Sequence, residues 1–457
     1  MKEITNSRTI AAIATPQGTG GISVIRMSGS EAVSVADTVF SGKSLKTVPS
    51  HTVHYGFIKD KNGETLDEVL VTVMRAPKTF TREDTVEISC HGGSVTTYAV
   101  LKALIEAGAY MAEAGEFTKR AFMNGRIDLA QAEAVIDIIN AKTALSQRNA
   151  VAQLGGCLSR EIKETRDTLV HLCAQMQVII DYPDEDLEDV TDADIRDVCQ
   201  ECANRIKKLL ETSDSGRLIK DGIRTVIVGK PNVGKSSILN CLAREERAIV
   251  TEIAGTTRDV IEESVIIKGI ELILSDTAGI RETDDVVEKI GVKKSRQYLD
   301  SADLVIVVLD SSSPLDSDDI DVLENSKDKK RIILLNKSDI ESKFDASEYL
   351  NDDIIIKTSA KTGYGTDELA EAIEKLCKLG EIESENGRII TNMRHKSALI
   401  GANEALLRVV DALDSGMPCD IVSIDIASAM NCLGEITGET VSESVVSDIF
   451  HSFCVGK

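Results

Sequence analysis

The eight residues Gly229-Lys230-Pro231-Asn232-Val233-Gly234-Lys235-Ser236 constrain this chain more than any other stretch. The spacing G-x-x-x-x-G-K-S requires a strand that turns sharply into a helix. Successive backbone N–H groups and the helix N-terminus then point at one anion. The flanks agree: Ile223 to Val228 reads as a buried strand and Ser237 to Arg244 as an amphipathic helix. On this geometry residues Asn232 to Ser237 cradle the phosphates of a nucleoside triphosphate. Lys235 reaches the β- and γ-phosphates, and the Ser236 hydroxyl ligates Mg²⁺. Taken alone, the pattern also fits an ordinary glycine-rich turn.

Four further segments remove that ambiguity. Asp276-Thr277-Ala278-Gly279 follows the apolar strand Leu272 to Leu274. It fits an aspartate holding Mg²⁺ through water and a glycine N–H meeting the γ-phosphate. Gly255-Thr256-Thr257-Arg258-Asp259 lies between the two, where GTPases carry a Mg²⁺-ligating threonine. Asn336-Lys337-Ser338-Asp339 follows the strand Arg331 to Leu335. A carboxylate there accepts two hydrogen bonds from the N1–H and N2–H₂ edge of guanine, whereas adenine would leave it unsatisfied. Ser359-Ala360-Lys361, after the strand Ile354 to Lys357, completes the base pocket. Most of these segments sit at C-terminal strand ends, where an open parallel sheet binds ligands. The order specifies GTP.

Gly279 is followed by Ile280, where many GTPases place the glutamine that orients the attacking water. Isoleucine does nothing for water. The amide carbonyl of Asn232 suggests a monovalent cation beside the phosphates, supplying the charge of an arginine finger. Glu282, Asp284, Asp285 and Glu288 offer carboxylates to orient water, and chemistry alone does not choose among them.

At 457 residues the chain exceeds one core and implies two or three domains. With 42% hydrophobic residues and 7 prolines it reads as an ordinary folded protein. No apolar run approaches a membrane span; the strongest, Leu304 to Leu309, reads as a buried strand. Residues Met1 to Ser30 lack a signal-peptide core. Ten cysteines without framework spacing suit a reducing, cytoplasmic setting. Cys199 and Cys202 share an apolar stripe with Ile195, Val198, Ile206 and Leu209, so core packing is expected rather than redox or metal chemistry. A net charge of −23 argues against a broad nucleic-acid or anionic-membrane surface. Two local basic clusters remain: Lys119, Arg120 and Arg126, and Lys327, Lys329, Lys330 and Arg331. Each also fits a solvated face.

Residues 1–120 alternate β-type runs (Ile10 to Thr15, Ile22 to Met27, Val69 to Arg75, Thr85 to Ser89) with one helix near Val95 to Ala107. Gly18-Thr19-Gly20-Gly21 reads as a turn. From Leu129 to Lys220 apolar residues recur at three and four, as in Val135, Ile138 and Ile139, with a break at Asp181-Tyr182-Pro183-Asp184. Helical periodicity returns in Leu399 to Leu413 and Ile421 to Leu433. The expected organisation is an α/β domain over 1–120, a helical domain split between 121–221 and 380–457, and a Ras-like G domain over 222–379 inserted into it. Insertion requires the G domain's ends to lie close together.

These residues resemble the MnmE (TrmE) family of tRNA-modification GTPases over essentially the whole length. The marks are Thr9 to Pro16 (TIAAIATP), Asp84 to Gly93 (DTVEISCHGG), Gly115 to Leu129 (GEFTKRAFMNGRIDL), the GTTRD and DTAGIRE segments, and the ending Phe453-Cys454-Val455-Gly456-Lys457. The resemblance implies a homodimer working with the flavoprotein MnmG. Together they add an aminomethyl or carboxymethylaminomethyl group to C5 of the tRNA wobble uridine, position 34. A tetrahydrofolate derivative (5-formyl or methylene) supplies the carbon. It implies a tetrahydrofolate-binding-like N-terminal domain, with folate contacts at Arg26, Glu87, Arg126 and Lys457. A basic trio and one carboxylate suit an anionic glutamate tail and a pterin donor edge; Arg26 and Glu87 also suit a structural ion pair. Cys454, with His451 nearby, invites a nucleophile reading. In the G domain the resemblance implies K⁺ at Asn232, Thr251, Ile253 and Thr256, and Mg²⁺ at Ser236 and Thr257. Nucleotide contacts run along Thr251-Glu252-Ile253-Ala254-Gly255-Thr256-Thr257, and Glu288 orients water.

Two other classes share the G-domain motifs. A ribosome-assembly GTPase would carry a basic RNA-binding module, and a dynamin-like scaffold a membrane-binding element. This sequence displays neither.

Overall fold

Alternation shapes the first sheet. In chain order its strands are β1 (Ile10–Ile13), β2 (Ile22–Ser28), β3 (Phe40–Ser41), β4 (Thr52–Lys59), β5 (Thr65–Met74), β6 (Thr85–His91) and β7 (Tyr110–Met111). They lie in the order β3-β4-β5-β6-β2-β1-β7, antiparallel except where β7 runs parallel to β1. On one face Ile25, Met27, Val69, Val71, Val73 and Ile88 are buried beneath the helices Ala32–Val39 and Ser94–Glu106. The intervening side chains, Arg26 and Glu87 among them, project from the other face because successive residues alternate sides. The sequence reading placed one helix and no Thr52–Lys59 strand here. The segment Ala32–Val39 (AVSVADTV) is rich in β-branched residues, yet its buried face docks on the sheet and makes it helical. In β4 the apolar positions Val53, Tyr55 and Phe57 are exposed while Gly56 is buried, which blurs the pattern.

The second sheet is built differently. Its strands are β8 (Ile223–Val228), β9 (Glu263–Ile267), β10 (Ile270–Leu274), β11 (Leu304–Asp310), β12 (Arg331–Asn336) and β13 (Ile354–Lys357). The order is β13-β12-β11-β8-β10-β9, parallel except for the β9–β10 hairpin. In β11 and β12 apolar residues are buried on both faces, so the strands read as unbroken hydrophobic runs. Strands β10 and β11 flank β8 on opposite sides, which makes the carboxyl end of β8 the topological switch point.

The structure is a computed structural model and describes residues 8–181, 191–245, 263–267, 269–274, 299, 301–343, 353–377 and 389–457. It divides into two compact units, one of Met1–Ile136, Gln153–Val170 and Ala427–Lys457, the other of Asp137–Ala152 and His171–Ile426. The architecture is mixed α/β and α. Helices Leu129–Asn140, Ala144–Leu154, Cys157–Asp181, Asp192–Glu211 and Ser213–Asp221 precede the second sheet. Met393–Asp414, Cys419–Thr437 and Glu443–His451 follow it, the last absent from the sequence reading. Helix Asp192–Glu211 opens on a capping box between Thr191 and Asp194. It packs along Met393–Asp414, and an ion pair from Arg196 near its start to Asp414 at the other's end makes the two antiparallel. Ile195, Cys199, Cys202, Ile206 and Leu209 are its buried stripe. Burial pushes the Cys199 thiol up to about 12 and the Cys202 thiol to about 11, so both pack as neutral core side chains.

The polypeptide enters and leaves the second sheet's surroundings at one neck. The Ile390 N–H donates to Thr212 Oγ1 at 3.1 Å, and the Ser215 hydroxyl donates to the Cys377 carbonyl at 3.0 Å. Ile389 packs into the same core as Leu218, Ile219 and Ile223. Among the described residues no helix is long and apolar enough to cross a membrane.

Candidate functional site

The loop after β8 gathers the first set of candidate residues at the switch point. Gly229, Asn232 and Gly234 all take positive φ (152°, 66° and 100°), which winds the backbone round on itself before helix Lys235–Glu245 begins. A Cβ on Gly234 would come within 2.2 Å of Asn336 Nδ2, so only glycine fits there. Lys235 donates to the Gly229 and Lys230 carbonyls at 2.7 and 2.8 Å, and burial lowers its pKa. Val233 is buried, while Asn232, Ser236 and Ser237 are exposed around the opening.

Asn336 ties this loop to the base-side segments. Its Nδ2 donates to the Val233 carbonyl at 2.8 Å, and its Oδ1 accepts the Ala360 N–H at 3.1 Å. One amide therefore uses donor and acceptor to brace loops more than a hundred residues apart. Next to it Lys337, at φ 64°, donates to Asp310 Oδ2 at the end of β11 (2.6 Å). Burial works to raise the Asp310 pKa. The hydrogen bonds from Lys337 and Ser312 outweigh it, so the carboxyl sits below its ordinary value. The Ser338 N–H donates to the Thr358 carbonyl at 3.0 Å. The Ser359 hydroxyl donates to Asp339 Oδ1 at 2.8 Å and, with the Asp339 amide and the Lys361 charge, holds that exposed carboxylate charged. A cavity of about 480 Å³ opens between Ser237, Asn240 and Cys241 on one side and Ala360, Lys361 and Gly363 on the other. Asn232 to Ser237, Asn336 to Asp339 and Ser359 to Lys361 thus converge. Thr251 to Thr257, Asp276 to Gly279, Ile280, Glu282, Asp284, Asp285 and Glu288 lie outside the described residues.

A second cluster forms on the first sheet. Register puts Arg26 directly opposite Glu87 across β2 and β6. The guanidinium Nε and Nη2 both lie 2.8 Å from Glu87 Oε1, and Nη1 reaches the Gly456 carbonyl at 3.5 Å. Side-chain exposures of 21% and 28% leave the pair open to a ligand. The ring of buried Phe117 lies 5.9 Å from Arg26 Cζ. The tail is held by backbone: Phe117 N–H donates to the Lys457 carbonyl (3.2 Å) and Gly115 N–H to the Cys454 carbonyl (3.4 Å). Gly456 has φ 97°, and a Cβ there would meet the Ile13 carbonyl at 2.4 Å. Phe450 and Phe453, with ring centroids 5.3 Å apart, pack with Ala121, Ile127 and Leu129 and anchor the ending. Arg126 donates to the Phe80 carbonyl at 3.1 Å and stacks 4.8 Å from that ring.

Lys119, Arg120 and Arg126, a candidate basic patch in the sequence, do not present one basic surface. Arg120 is 5% exposed and pairs with Glu83 at 3.0 Å and Glu116 at 2.8 Å, so its charge is used inside the fold. In the other cluster Arg331 is engaged by Asp353 through two bonds of 2.7 Å. Cys454 is exposed, and His451 Nδ1 is engaged by the Ser447 carbonyl at 2.7 Å. The sequence reading missed Phe117 and the bracing role of Asn336. The GEFTK run carried the signal for Phe117; nothing local signals the brace.

Two family models match the chain. That described as the MnmE helical domain matches residues 129–454, and that described as the GTP-binding protein TrmE N-terminus matches residues 9–126. The chain belongs to the MnmE family. The tRNA modification GTPase MnmE of Clostridioides difficile is 48% identical over 455 residues, covering 98% of this chain and 99% of that protein. The protein of the same name from Acetivibrio thermocellus is 49% identical over 454 residues, with the same coverage of 98% and 99%. Membership in the MnmE family, together with the converging loops, makes this chain a GTP hydrolase.

Proposed function

We propose that the chain is a K⁺-dependent GTPase that acts with an MnmG flavoprotein to modify C5 of tRNA wobble uridine, using a tetrahydrofolate one-carbon donor. The observation that supports this most is the meeting of Gly456 with Arg26 and Glu87, 430 positions apart in sequence for the Arg26–Gly456 bond. It brings the tail to a half-open charged pair, a donor set that fits an anionic ligand with a hydrogen-bonding edge. Arg26, Glu87, Arg126 and Lys457 would hold the folate, which supplies the carbon when bound.

In the G domain Asn232 to Ser237, Asn336 to Asp339 and Ser359 to Lys361 would hold GTP. The exposed Asn232 fits a carbonyl ligand for K⁺ beside the phosphates, and the exposed Ser236 fits a hydroxyl ligand for Mg²⁺. Thr251, Ile253, Thr256 and Thr257 complete these sets in the proposal, with Thr251 to Thr257 and Asp276 to Gly279 as further GTP contacts. Glu288 orients water. Lys235 places its ammonium at the phosphates. Such a chain works in the cytoplasm as a homodimer, on tRNA.

The test is mass analysis of wobble uridine in tRNA from cells lacking the protein, complemented with the parent or with Lys235→Ala. Unmodified uridine in the null strain, restored by the parent alone, is expected. Normal modification in the null strain overturns the reading.

A further inference from the structure

We propose that Lys230 is a positioning residue for Lys235; this rests on reading Gly229 to Ser236 as the triphosphate loop. The Lys230 ammonium donates to Asp316 Oδ2 at 2.7 Å and to Asp319 Oδ2 at 2.8 Å. Both acids belong to the start of helix Ser317–Asn325. Asp316 is its N-cap and accepts the Asp319 N–H at 3.1 Å, while Asp319 accepts the Asp316 N–H at 3.3 Å. This reciprocal capping fixes both carboxylates independently of Lys230. Asp319 is 2% exposed and its Oδ1 has no hydrogen-bond partner among the described residues. A buried charge so placed holds its facing cation firmly. The lysine, in turn, is kept charged by the hydrogen bonds of Asp316 and Asp319.

The backbone of the same residue faces the other way. The Lys230 carbonyl accepts Lys235 Nζ at 2.8 Å, beside the Gly229 carbonyl at 2.7 Å. Side chain and carbonyl share one Cα, so anchoring the ammonium on the helix fixes the acceptor that aims Lys235. The loop around it contains three positive-φ residues and the rigid Pro231 and is neither helix nor strand. Lys230 therefore acts through Lys235 and not on the nucleotide.

The experiment is titration of fluorescent GTP and GDP against the full-length parent, Lys230→Met, Lys230→Arg, Lys235→Ala and the Lys230→Met/Lys235→Ala double variant. Lys230→Met should weaken GTP roughly tenfold and GDP less, since an ill-aimed charge forfeits its γ-phosphate contact. Lys230→Arg should restore most of the loss, and the Met change should add little once Lys235 is gone. Asp316→Asn, at a side chain 50% exposed, should shift GTP in the same direction by less, and guards against misfolding of the Met variant. Full additivity in the double variant, or equal losses for GTP and GDP, overturns the positioning role. Lys235→Ala binding GTP like the parent overturns the reading of the loop itself, and the proposal with it.

Discussion

The two sheets carry their candidate sites in opposite ways. In the parallel sheet the central strands β11 and β12 are buried on both faces, so chemistry gathers in the loops at one end. Each loop is contiguous, and much of its work is done by backbone and turn geometry. In the antiparallel sheet one face is core and the other is free to carry Arg26 and Glu87, so the site lies on a surface and borrows its remaining wall from the chain's ending. The first kind of site is written in short motifs. The second is written in register and in long-range contact.

The largest effect that probes this contrast is expected from deleting Cys454 to Lys457. GTP binding and hydrolysis should stay near the parent's, because the described loop site is built from residues between Gly229 and Lys361, while wobble-uridine modification is abolished. Nucleoside composition in complemented cells, beside a GTPase assay, measures both; full modification with the shortened chain would break the comparison. Next comes Asn232→Ala, which should slow hydrolysis on the order of 10²-fold or more while largely sparing GTP binding. A K⁺ titration of the parent checks the cause, and rates indifferent to K⁺ would remove the cation from the loop site.

Smaller but more specific is Asp339→Asn. An amide in place of the carboxylate held by Ser359 prefers xanthine, whose C2 carbonyl replaces the guanine amino donor. Competition binding should show xanthosine triphosphate overtaking GTP. The mildest expectation concerns pH. The Asp310 pKa lies below its ordinary 3.8, so its pairing with Lys337 contributes fully above that value and is lost as pH falls through the lowered one. Melting curves of parent and Asp310→Asn between pH 7 and pH 3 should therefore stay a constant distance apart down to about pH 4 and converge below it.

The same contrast explains what could be read in advance. Leu304 to Leu309 was legible because a doubly buried strand is an uninterrupted apolar run, and Ile223 to Val228 and Ile354 to Lys357 because short apolar runs lead straight into the motif-bearing loops. The nearness of Asn336 to Val233 was not, because an amide brace across a hundred residues leaves no local pattern. Thr52–Lys59 hid behind its exposed aromatics, and Ala32–Val39 behind β-branched residues that packing turned into a helix. Arg120 looked like surface charge, since nothing in GEFTKRAF announces that Glu83 lies above it. The Cys-Val-Gly-Lys ending was conspicuous, but the Phe450 and Phe453 anchors that make a short tail stay put appear only once helix Glu443–His451 is seen.

The neck between Thr212 and Ile390 bears on how such a chain assembles. Those residues are 178 positions apart, and joining the ends of a flexible segment of that length costs about 4–5 kcal/mol in chain entropy. Once the second sheet has folded, its own packing brings Leu218, Ile223 and Ile389 together and the separation to be bridged becomes a few residues. Helix Asp192–Glu211 then meets Met393–Asp414 as though they were neighbours in sequence. Folding order and nucleotide occupancy are thereby linked: whatever stabilises the G region also shortens the effective chain on which the helical pair depends.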